Sequence, residues 1–363
     1  MKVDLFKMSC QPQDLEAVYR VLTRGTWWAQ GPELTEFETK ISEYLGVKYC
    51  VLFNSGTSAL HATMLAYDIG PGDEVIVPSF TFIATANCVK MVGAKPVFAD
   101  IEGDTLALSL ESVVSKTTSK TRAIILVHFA GMPAFETKRL VDFAAENNLL
   151  LIEDVCESMG ANIWGKPLGT FGETSVLSFC QGKILSTGEG GAVITNSREI
   201  VERLRLIQNH GKVGINSDFF TLGYNFRMPS VLCALGISQL DRIDLLIGSR
   251  KSVARSYNLK LKDLPIRYPN IESKSIYQMY PILLNKGSRD SLSSFLASRG
   301  VGSRVYFPPV HKSSYYRSLG YTDYLPVTEG IAKDILCIPM YPGMPEEEIT
   351  YVADTLKEFF SAV

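Results

Sequence analysis

Residues 174–194 read TSVLSFCQGKILSTGEGGAVI, two apolar runs joined by a turn that carries Lys183. The runs at 174–179 and 192–194 have the composition of buried strands. A lysine held between buried strands can lose its hydration, which lowers its pKa and makes the amine a nucleophile suited to Schiff-base chemistry. Taken alone, the stretch also fits an ordinary lysine on a surface turn, so other parts of the chain must decide between the two.

Composition and charge exclude several classes of protein. The chain has 363 residues, of which 46% are hydrophobic and 20% charged, and its formal net charge of -2 gives no basic field for nucleic acid or an anionic membrane. No apolar run reaches the roughly 18 residues of a membrane-spanning helix, and the N-terminus has no signal-peptide core. Seven scattered cysteines and four histidines form no metal-ligand spacing. We therefore expect a cytoplasmic protein with reduced thiols and no metal site.

Short apolar runs alternate with helix-like stretches over the first two thirds of the chain. The candidate strands are residues 49–53, 74–77, 96–99, 123–127, 149–152, 174–179 and 192–194, and candidate helices include 58–67, 84–92, 136–147 and 198–209. This alternation predicts an α/β fold with a mainly parallel seven-stranded sheet flanked by helices. Such sheets bind ligands beyond the carboxyl ends of their strands.

The pattern changes near residue 241. A long helical stretch at 241–262 is followed by short candidate strands at 279–284 and 301–307 and by helices near 288–299 and 345–360. We therefore predict a large ligand-binding domain at 1–240 and a smaller C-terminal α+β domain at 241–363. The long helix could bridge the two.

Two segments that follow strands could hold parts of a flat, anionic ligand. Gly56, Thr57 and Ser58 open a helix after the first strand, and a helix N-terminus with hydroxyl groups is a ready anion site. Plain helix capping explains the same residues equally well. Phe82, just beyond the second strand, could stack on a flat ring or lie in the core.

Polar residues after later strands complete the set. Asp154 ends an apolar run, where a carboxylate needs a cationic partner such as a protonated pyridine nitrogen. Asp154 could instead be a magnesium ligand or a helix cap. Ser178 precedes Lys183 by five residues and could reach the same phosphate as Thr57. Asn225 could also donate a hydrogen bond to an anion. An anion cradle, an aromatic ring, an aspartate and a lysine in this order describe a site for pyridoxal 5'-phosphate.

The sequence resembles the DegT/StrS nucleotide-sugar aminotransferases, which are fold-type-I enzymes dependent on pyridoxal phosphate. The resemblance extends over nearly the whole chain. It rests on the combination of SGTSAL at 55–60, GDEVIVP at 72–78, VH at 127–128, ED at 153–154, SF at 178–179 with Lys183, GEGG at 188–191 and GYNFRM at 223–228.

The resemblance implies a role for each matching residue. Lys183 forms the Schiff base with the cofactor, Asp154 pairs with the pyridinium nitrogen and Phe82 stacks on the ring. Other roles implied are phosphate binding by Gly56, Thr57, Ser58 and Ser178, a phosphate contact by Asn225 from the second subunit of a homodimer, and lining of the sugar-nucleotide pocket by Arg227 and His311. His311 fits an ordinary loop histidine equally well.

Two positions depart from the family pattern. Glu157 stands where relatives usually carry Gln or His in contact with the cofactor's 3'-oxygen; a carboxylate there would be protonated, turned away or bonded elsewhere. Cys180 replaces the more usual His or Tyr and could shape the sugar pocket. Relatives that catalyse 3-dehydration have histidine in place of the lysine, so Lys183 predicts transamination.

The resemblance implies transfer of an amino group from L-glutamate to a nucleotide-linked keto sugar. We favour a 4-keto sugar, with a 3-keto sugar as the alternative, and a product used in polysaccharide, glycan or antibiotic biosynthesis. Another pyridoxal-phosphate reaction, such as a lyase or desulfurase, and a non-catalytic cofactor-binding scaffold are weaker alternatives. A dinucleotide-dependent dehydrogenase is disfavoured because no Gly-x-Gly-x-x-Gly follows the first strand.

Overall fold

The computed structural model describes residues 1–214, 218–269, 275–284 and 287–362. The strands are β1 Tyr49–Phe53, β2 Glu74–Pro78, β3 Lys95–Ala99, β4 Thr121–Val127, β5 Leu150–Asp154, β6 Asn162–Ile163, β7 Lys166–Pro167, β8 Thr174–Ser178, β9 Gly191–Thr195, β10 Tyr280–Leu283 and β11 Ile335–Ile338. The helices are α1 Pro12–Thr23, α2 Glu33–Leu45, α3 Gly56–Ala66, α4 Ala84–Met91, α5 Leu110–Lys116, α6 Thr137–Glu146, α7 Arg198–Gln208, α8 Ser230–Leu240, α9 Ile243–Leu261, α10 Arg289–Ser298, α11 Ser314–Ser318, α12 Pro326–Asp334 and α13 Glu346–Ser361.

Seven strands form one sheet in the order β1-β9-β8-β5-β4-β2-β3. Strands β3, β2, β4, β5 and β8 pair in parallel, and β9 runs antiparallel to both of its neighbours. Each of the seven apolar runs predicted as a strand is a strand of this sheet. The α/β class with a mainly parallel seven-stranded sheet is therefore confirmed.

Helices cover both faces of the sheet because successive strand side chains point in opposite directions. In β1, Val51 and Phe53 join the core beneath α3, α4 and α7. Their neighbours Cys50 and Leu52 join the opposite core, which contains residues of α2 and α8. Since both faces are buried, the carboxyl edge of the sheet is left to face a ligand.

The C-terminal part has its own core around the two-stranded pair β10–β11 and helices α9, α10 and α13. Helix α9 contributes Leu246 and Ile247 to the core of the large sheet, and Val253 and Tyr257 to the C-terminal core. It therefore bridges the two parts, as its length suggested. The division at residue 240 stays a prediction.

The predicted strand at 301–307 is wrong. Val301 forms one bridge with Val3, and Arg304 forms another with Cys337. Because the segment pairs with two different partners within four residues, no continuous ladder forms.

Among the described residues, no helix has both the length and the apolar composition needed to cross a membrane.

Candidate active site

A cavity of about 910 Å³ lies at the carboxyl edge of the sheet. Four of its walls form where β1, β2, β5 and β8 end, and they carry Thr57, Phe82, Asp154 and Lys183. A further wall comes from the C-terminal part, from residues 304–310, 312–313, 337–338 and 340. The cavity thus brings together residues from distant parts of the sequence, as the strand order requires.

Lys183 reaches the cavity from the turn between β8 and β9, with 17% of its side chain exposed. Its Nζ lies 3.2 Å from Oε1 of Glu157. Burial favours the neutral amine, but attraction to the Glu157 carboxylate outweighs it, so the pKa of Lys183 is raised. The sequence predicted a lowered pKa, and this difference arises because the acidic neighbour lies 26 residues earlier in the chain.

Asp154 ends β5 and is 5% exposed. Its Oδ2 accepts a hydrogen bond from Thr85 Oγ1 at 3.0 Å, and its Oδ1 accepts one from the Cys156 backbone N–H at 3.2 Å. Within the described residues, no lysine, arginine or histidine forms an ion pair with it. A buried carboxylate in this state is stabilised by a cationic ligand.

The N-terminus of α3 faces the same cavity. Ser55 caps the helix by accepting a hydrogen bond from the Ser58 backbone N–H at 3.0 Å, while the Ser58 hydroxyl donates to Asn54 Oδ1 at 2.6 Å. Gly56 lies so close to Ser178 that a Cβ added to it would be 2.9 Å from the serine Cβ. Gly56, Thr57 and Ser178 line the cavity, whereas Ser58 does not; its hydroxyl serves the capping turn.

Phe82 and Cys180 also lie in the cavity lining. Phe82 is 58% exposed, and its ring centre is 6.0 Å from that of Phe307. An aromatic side chain this exposed inside a cavity is available to cover a flat ring.

Besides Ser58, three predicted residues are absent from the cavity lining. The Asn225 carbonyl accepts a bond from Asn54, and Arg227 Nη1 donates to Asn209 Oδ1 at 2.8 Å. His311 is 2% exposed and lies between Ser79, 2.6 Å from its Nδ1, and Glu329, 3.3 Å from its Nε2. Burial lowers the pKa of His311, in keeping with a neutral packed histidine. The predicted roles of Asn225, Arg227 and His311 stay predictions.

Sequence reasoning missed residues that hold the site in place. Thr85 orients Asp154 and shares a 3.0 Å hydrogen bond with Thr81. Because Thr81 lies before α4 begins, helical spacing does not reveal this pair. Gln278 accepts a bond from the Ile184 backbone N–H at 3.0 Å and donates to the Gly182 carbonyl at 2.7 Å, fixing the lysine turn. No local pattern reveals a contact across 94 residues.

Comparisons with known proteins agree with this geometry. A sequence model of the DegT/DnrJ/EryC1/StrS aminotransferase family matches residues 9–357. A GDP-perosamine synthase from Vibrio cholerae is 35% identical over 342 residues, covering 92% of this chain and 93% of the relative. Helicobacter pylori PseC, an aminotransferase involved in the biosynthesis of pseudoaminic acid, has a TM-score of 0.94 at 29% identity, covering 100% of both chains. NtdA from Bacillus subtilis, solved with bound cofactor PMP, has a TM-score of 0.90 at 26% identity, covering 97% of this chain and 83% of that one.

Fold, cavity and relatives define a fold-type-I aminotransferase that uses pyridoxal phosphate. The chain belongs to the DegT/DnrJ/EryC1/StrS aminotransferase family. The cavity fits the cofactor, because it has a buried carboxylate without a cationic partner in the described residues, an amine and a helix N-terminus.

Proposed function

We propose that the enzyme transfers an amino group from L-glutamate to a 4-keto sugar carried on a nucleoside diphosphate, giving an amino sugar for polysaccharide, glycan or antibiotic biosynthesis. One observation carries the proposal: Lys183 and Asp154 line one cavity of about 910 Å³, a volume large enough for a cofactor and a sugar nucleotide. The name of the Vibrio cholerae relative, GDP-perosamine synthase, supports a nucleotide-linked substrate.

Lys183 acts as the proton carrier. The pyridoxal phosphate ring supplies an electron sink that stabilises negative charge at the carbon next to the transferred nitrogen. Lys183 Nζ takes a proton from the α-carbon of the amino donor. It would pass that proton to the cofactor carbon next to the transferred nitrogen. In the second half of the reaction it would move a proton the opposite way, from that cofactor carbon to the sugar carbon that held the keto oxygen.

The other residues bind and orient the cofactor. The Asp154 carboxylate, held by Thr85, stabilises the positive charge on the ring nitrogen. Thr57 and Ser178, with the backbone N–H groups at the start of α3, hold the phosphate. Phe82 covers one face of the ring.

Cationic side chains on the C-terminal wall suit anionic substrates. Arg304 lines the cavity, has no carboxylate partner in the described parts of the chain, and its guanidinium lies 5.0 Å from the centre of the Tyr306 ring. Lys312, also in the lining, is paired with Glu329. Among the described residues of this wall, Arg304 is thus the cation without a carboxylate partner, and it is available for a phosphate or carboxylate of the substrates.

We also propose that the active unit is a homodimer in which Asn225 serves the partner's cavity. Phe219, Phe220 and Leu222, shortly before Asn225, are 64%, 66% and 77% exposed. A cluster of exposed apolar side chains is typical of an interface. The position of Asn225 outside its own cavity fits a role at the second site.

A substrate panel tests the proposal. Purified enzyme is mixed with L-glutamate and with 4-keto or 3-keto sugars linked to GDP, UDP or dTDP, and both 2-oxoglutarate and amino sugar are measured. We expect equal amounts of the two products with a 4-keto sugar, and none from Lys183→Ala. Turnover only with a 3-keto sugar would overturn the proposed position of amination. Failure of every nucleotide sugar in the panel to react would overturn the proposed substrate class.

A further inference from the structure

Both carboxylate oxygens of Glu157 are engaged inside the cavity. Oε1 lies 3.2 Å from Lys183 Nζ, and Oε2 accepts a hydrogen bond from the Ala130 backbone N–H at 2.9 Å. Glu157 is 8% exposed. Ala130 has a φ of 55°, an unusual conformation for a residue with a side chain, and it directs its N–H at this carboxylate.

The other titratable groups near this pair leave Glu157 as the decisive charge. Burial, together with the nearby Asp154 charge, raises the pKa of the Cys156 thiol, so that thiol is neutral near pH 7. Burial also raises the pKa values of Tyr306 and Cys337, which face Glu157 from the C-terminal part. A charge on Cys180 would raise the pKa of Lys183 in the same direction as Glu157 does, but less strongly. Among the described residues, Glu157 is therefore the carboxylate that forms an ion pair with Lys183.

A glutamine at this position would behave differently. Its carbonyl oxygen could accept the Ala130 N–H as Glu157 does, but its amide carries no charge to hold an ammonium group. Burial would then favour the neutral amine of Lys183. A carboxylate charge at position 157 therefore favours the ammonium form of Lys183, whereas the shape of the side chain alone would not.

We propose that Glu157 holds Lys183 as an ammonium ion before the cofactor binds and accepts its proton when the cofactor is captured. The inference rests on the proposed bond between Lys183 and the cofactor. The proton moves from Nζ to Oε1, the freed nitrogen lone pair bonds to the aldehyde carbon, and the aldehyde oxygen leaves as water. Glu157 is then neutral and can donate a hydrogen bond to the cofactor's 3'-oxygen, so the repulsion expected from a carboxylate there does not arise.

Titration of Lys183 in the cofactor-free, full-length protein tests this without any turnover. Competitive acetylation over a pH series, read by mass spectrometry of the Lys183 peptide, gives the labelling midpoint. Glu157→Gln is expected to lower this midpoint by about 1–3 pH units, the usual effect of losing a close opposite charge. The rate of pyridoxal phosphate capture near neutral pH should rise on the order of tenfold per unit.

Two further variants control for charge and folding. Glu189→Gln removes a carboxylate from the same cavity lining, where Glu189 is exposed and forms no ion pair with Lys183, so the midpoint should not move. Glu157→Asp keeps the charge and should keep the midpoint above that of Glu157→Gln. An unchanged midpoint in a folded Glu157→Gln protein would overturn the inference. A lowered midpoint in a protein without activity on keto sugars would reject the proposed substrate and leave this inference standing.

Discussion

At the scale of single residues, Asp154 shows most clearly what the cavity requires. It is 5% exposed and is held by a threonine hydroxyl and a backbone N–H, neither of which neutralises its charge. Burying a carboxylate without a counter-charge costs free energy. A protonated ring nitrogen therefore binds more tightly here than a neutral one.

Replacing Asp154 with asparagine should separate charge from shape. Asp154→Asn keeps an acceptor for Thr85 but loses the counter-charge, so cofactor affinity should fall about 10–100-fold, the value of a charged hydrogen bond. Equilibrium dialysis of pyridoxal phosphate measures this. Thr85→Val, which removes only the orienting hydroxyl, should cost about tenfold or less. Unchanged affinity in Asp154→Asn would mean that the ring nitrogen is stabilised elsewhere.

At the residue scale, the sequence singles out polar side chains that coincide with a strand end, and their roles stay predictions. Lys183 and Asp154 follow apolar runs, so their polar character stood out, and both lie in the cavity lining. The approach could not find the contact of Glu157 with Lys183 or the two bonds of Gln278, because tertiary packing creates them. His311, conspicuous in a loop, is buried against Ser79 instead.

At the scale of elements, the cavity depends on the loop that joins β7 to β8. Glu153, buried completely in β5, accepts hydrogen bonds from the backbone N–H groups of Gly169, Phe171 and Gly172 at 3.0, 2.7 and 2.8 Å. Its Oε2 also lies 3.0 Å from Nε2 of His128. One carboxylate thereby fixes the strand that ends in Asp154 to the segment that leads into β8.

Glu153→Gln should weaken the fold in a pH-dependent way. Burial alone would raise the pKa of Glu153. The hydrogen bonds from His128 and from the backbone lower this pKa by more than burial raises it, so the net pKa lies below 4.5. Its contribution to stability is present above the unfolded pKa and is lost as pH falls through the folded value. We expect Glu153→Gln to reduce the free energy of unfolding by about 1.5–3 kcal/mol near pH 7.

Urea denaturation over a pH series checks this expectation. The difference between wild type and Glu153→Gln should narrow below about pH 4.5, because protonation removes the same charge from the wild type. A difference that stays constant as the pH falls would show that shape, and not charge, explains the loss of stability.

Elements were predictable where burial is continuous and less so elsewhere. The seven strands of the sheet are apolar on both faces, so each appeared as a continuous run. The segment 301–307 reads VGSRVYF, so its apolar residues are interrupted, and its two bridges go to different partners, which no local pattern encodes. Helix α5, only seven residues long, was too short to stand out from the neighbouring loops.

At the scale of the whole molecule, the sequence placed the cavity at the correct edge of the sheet because parallel strands share one carboxyl end. It did not predict that Arg304 and Phe307 would form the opposite wall. Their placement depends on how the C-terminal core packs around α9, which local periodicity does not describe.

Mixing two inactive variants tests whether the active sites are shared between subunits. Lys183→Ala and Asn225→Ala are each expected to lose most activity. In a mixed dimer, the Asn225→Ala chain supplies a cavity with Lys183, and the Lys183→Ala chain supplies Asn225 to that cavity. One site in two is therefore complete. Equal mixing after subunit exchange should restore about a quarter of the wild-type rate.

No recovery on mixing, despite proven exchange of subunits, would place Asn225 in its own chain's site or outside the site. A single-subunit mass in sedimentation at the assay concentration would contradict the dimer itself. Mixing Lys183→Ala with Asp154→Asn serves as the control, because both residues belong to one cavity. At the same total protein concentration, that mixture should have about half the rate of Asp154→Asn alone.

The absorbance spectrum of the purified protein, before and after L-glutamate, tests the central claim most directly. We predict a visible band from the lysine-bound cofactor that bleaches toward the amino form when glutamate is added, and that is missing in Lys183→Ala. A band that ignores glutamate would contradict the proposed donor. If no band forms in the wild type even with added pyridoxal phosphate, Lys183 does not bind the cofactor and the account of the site is wrong.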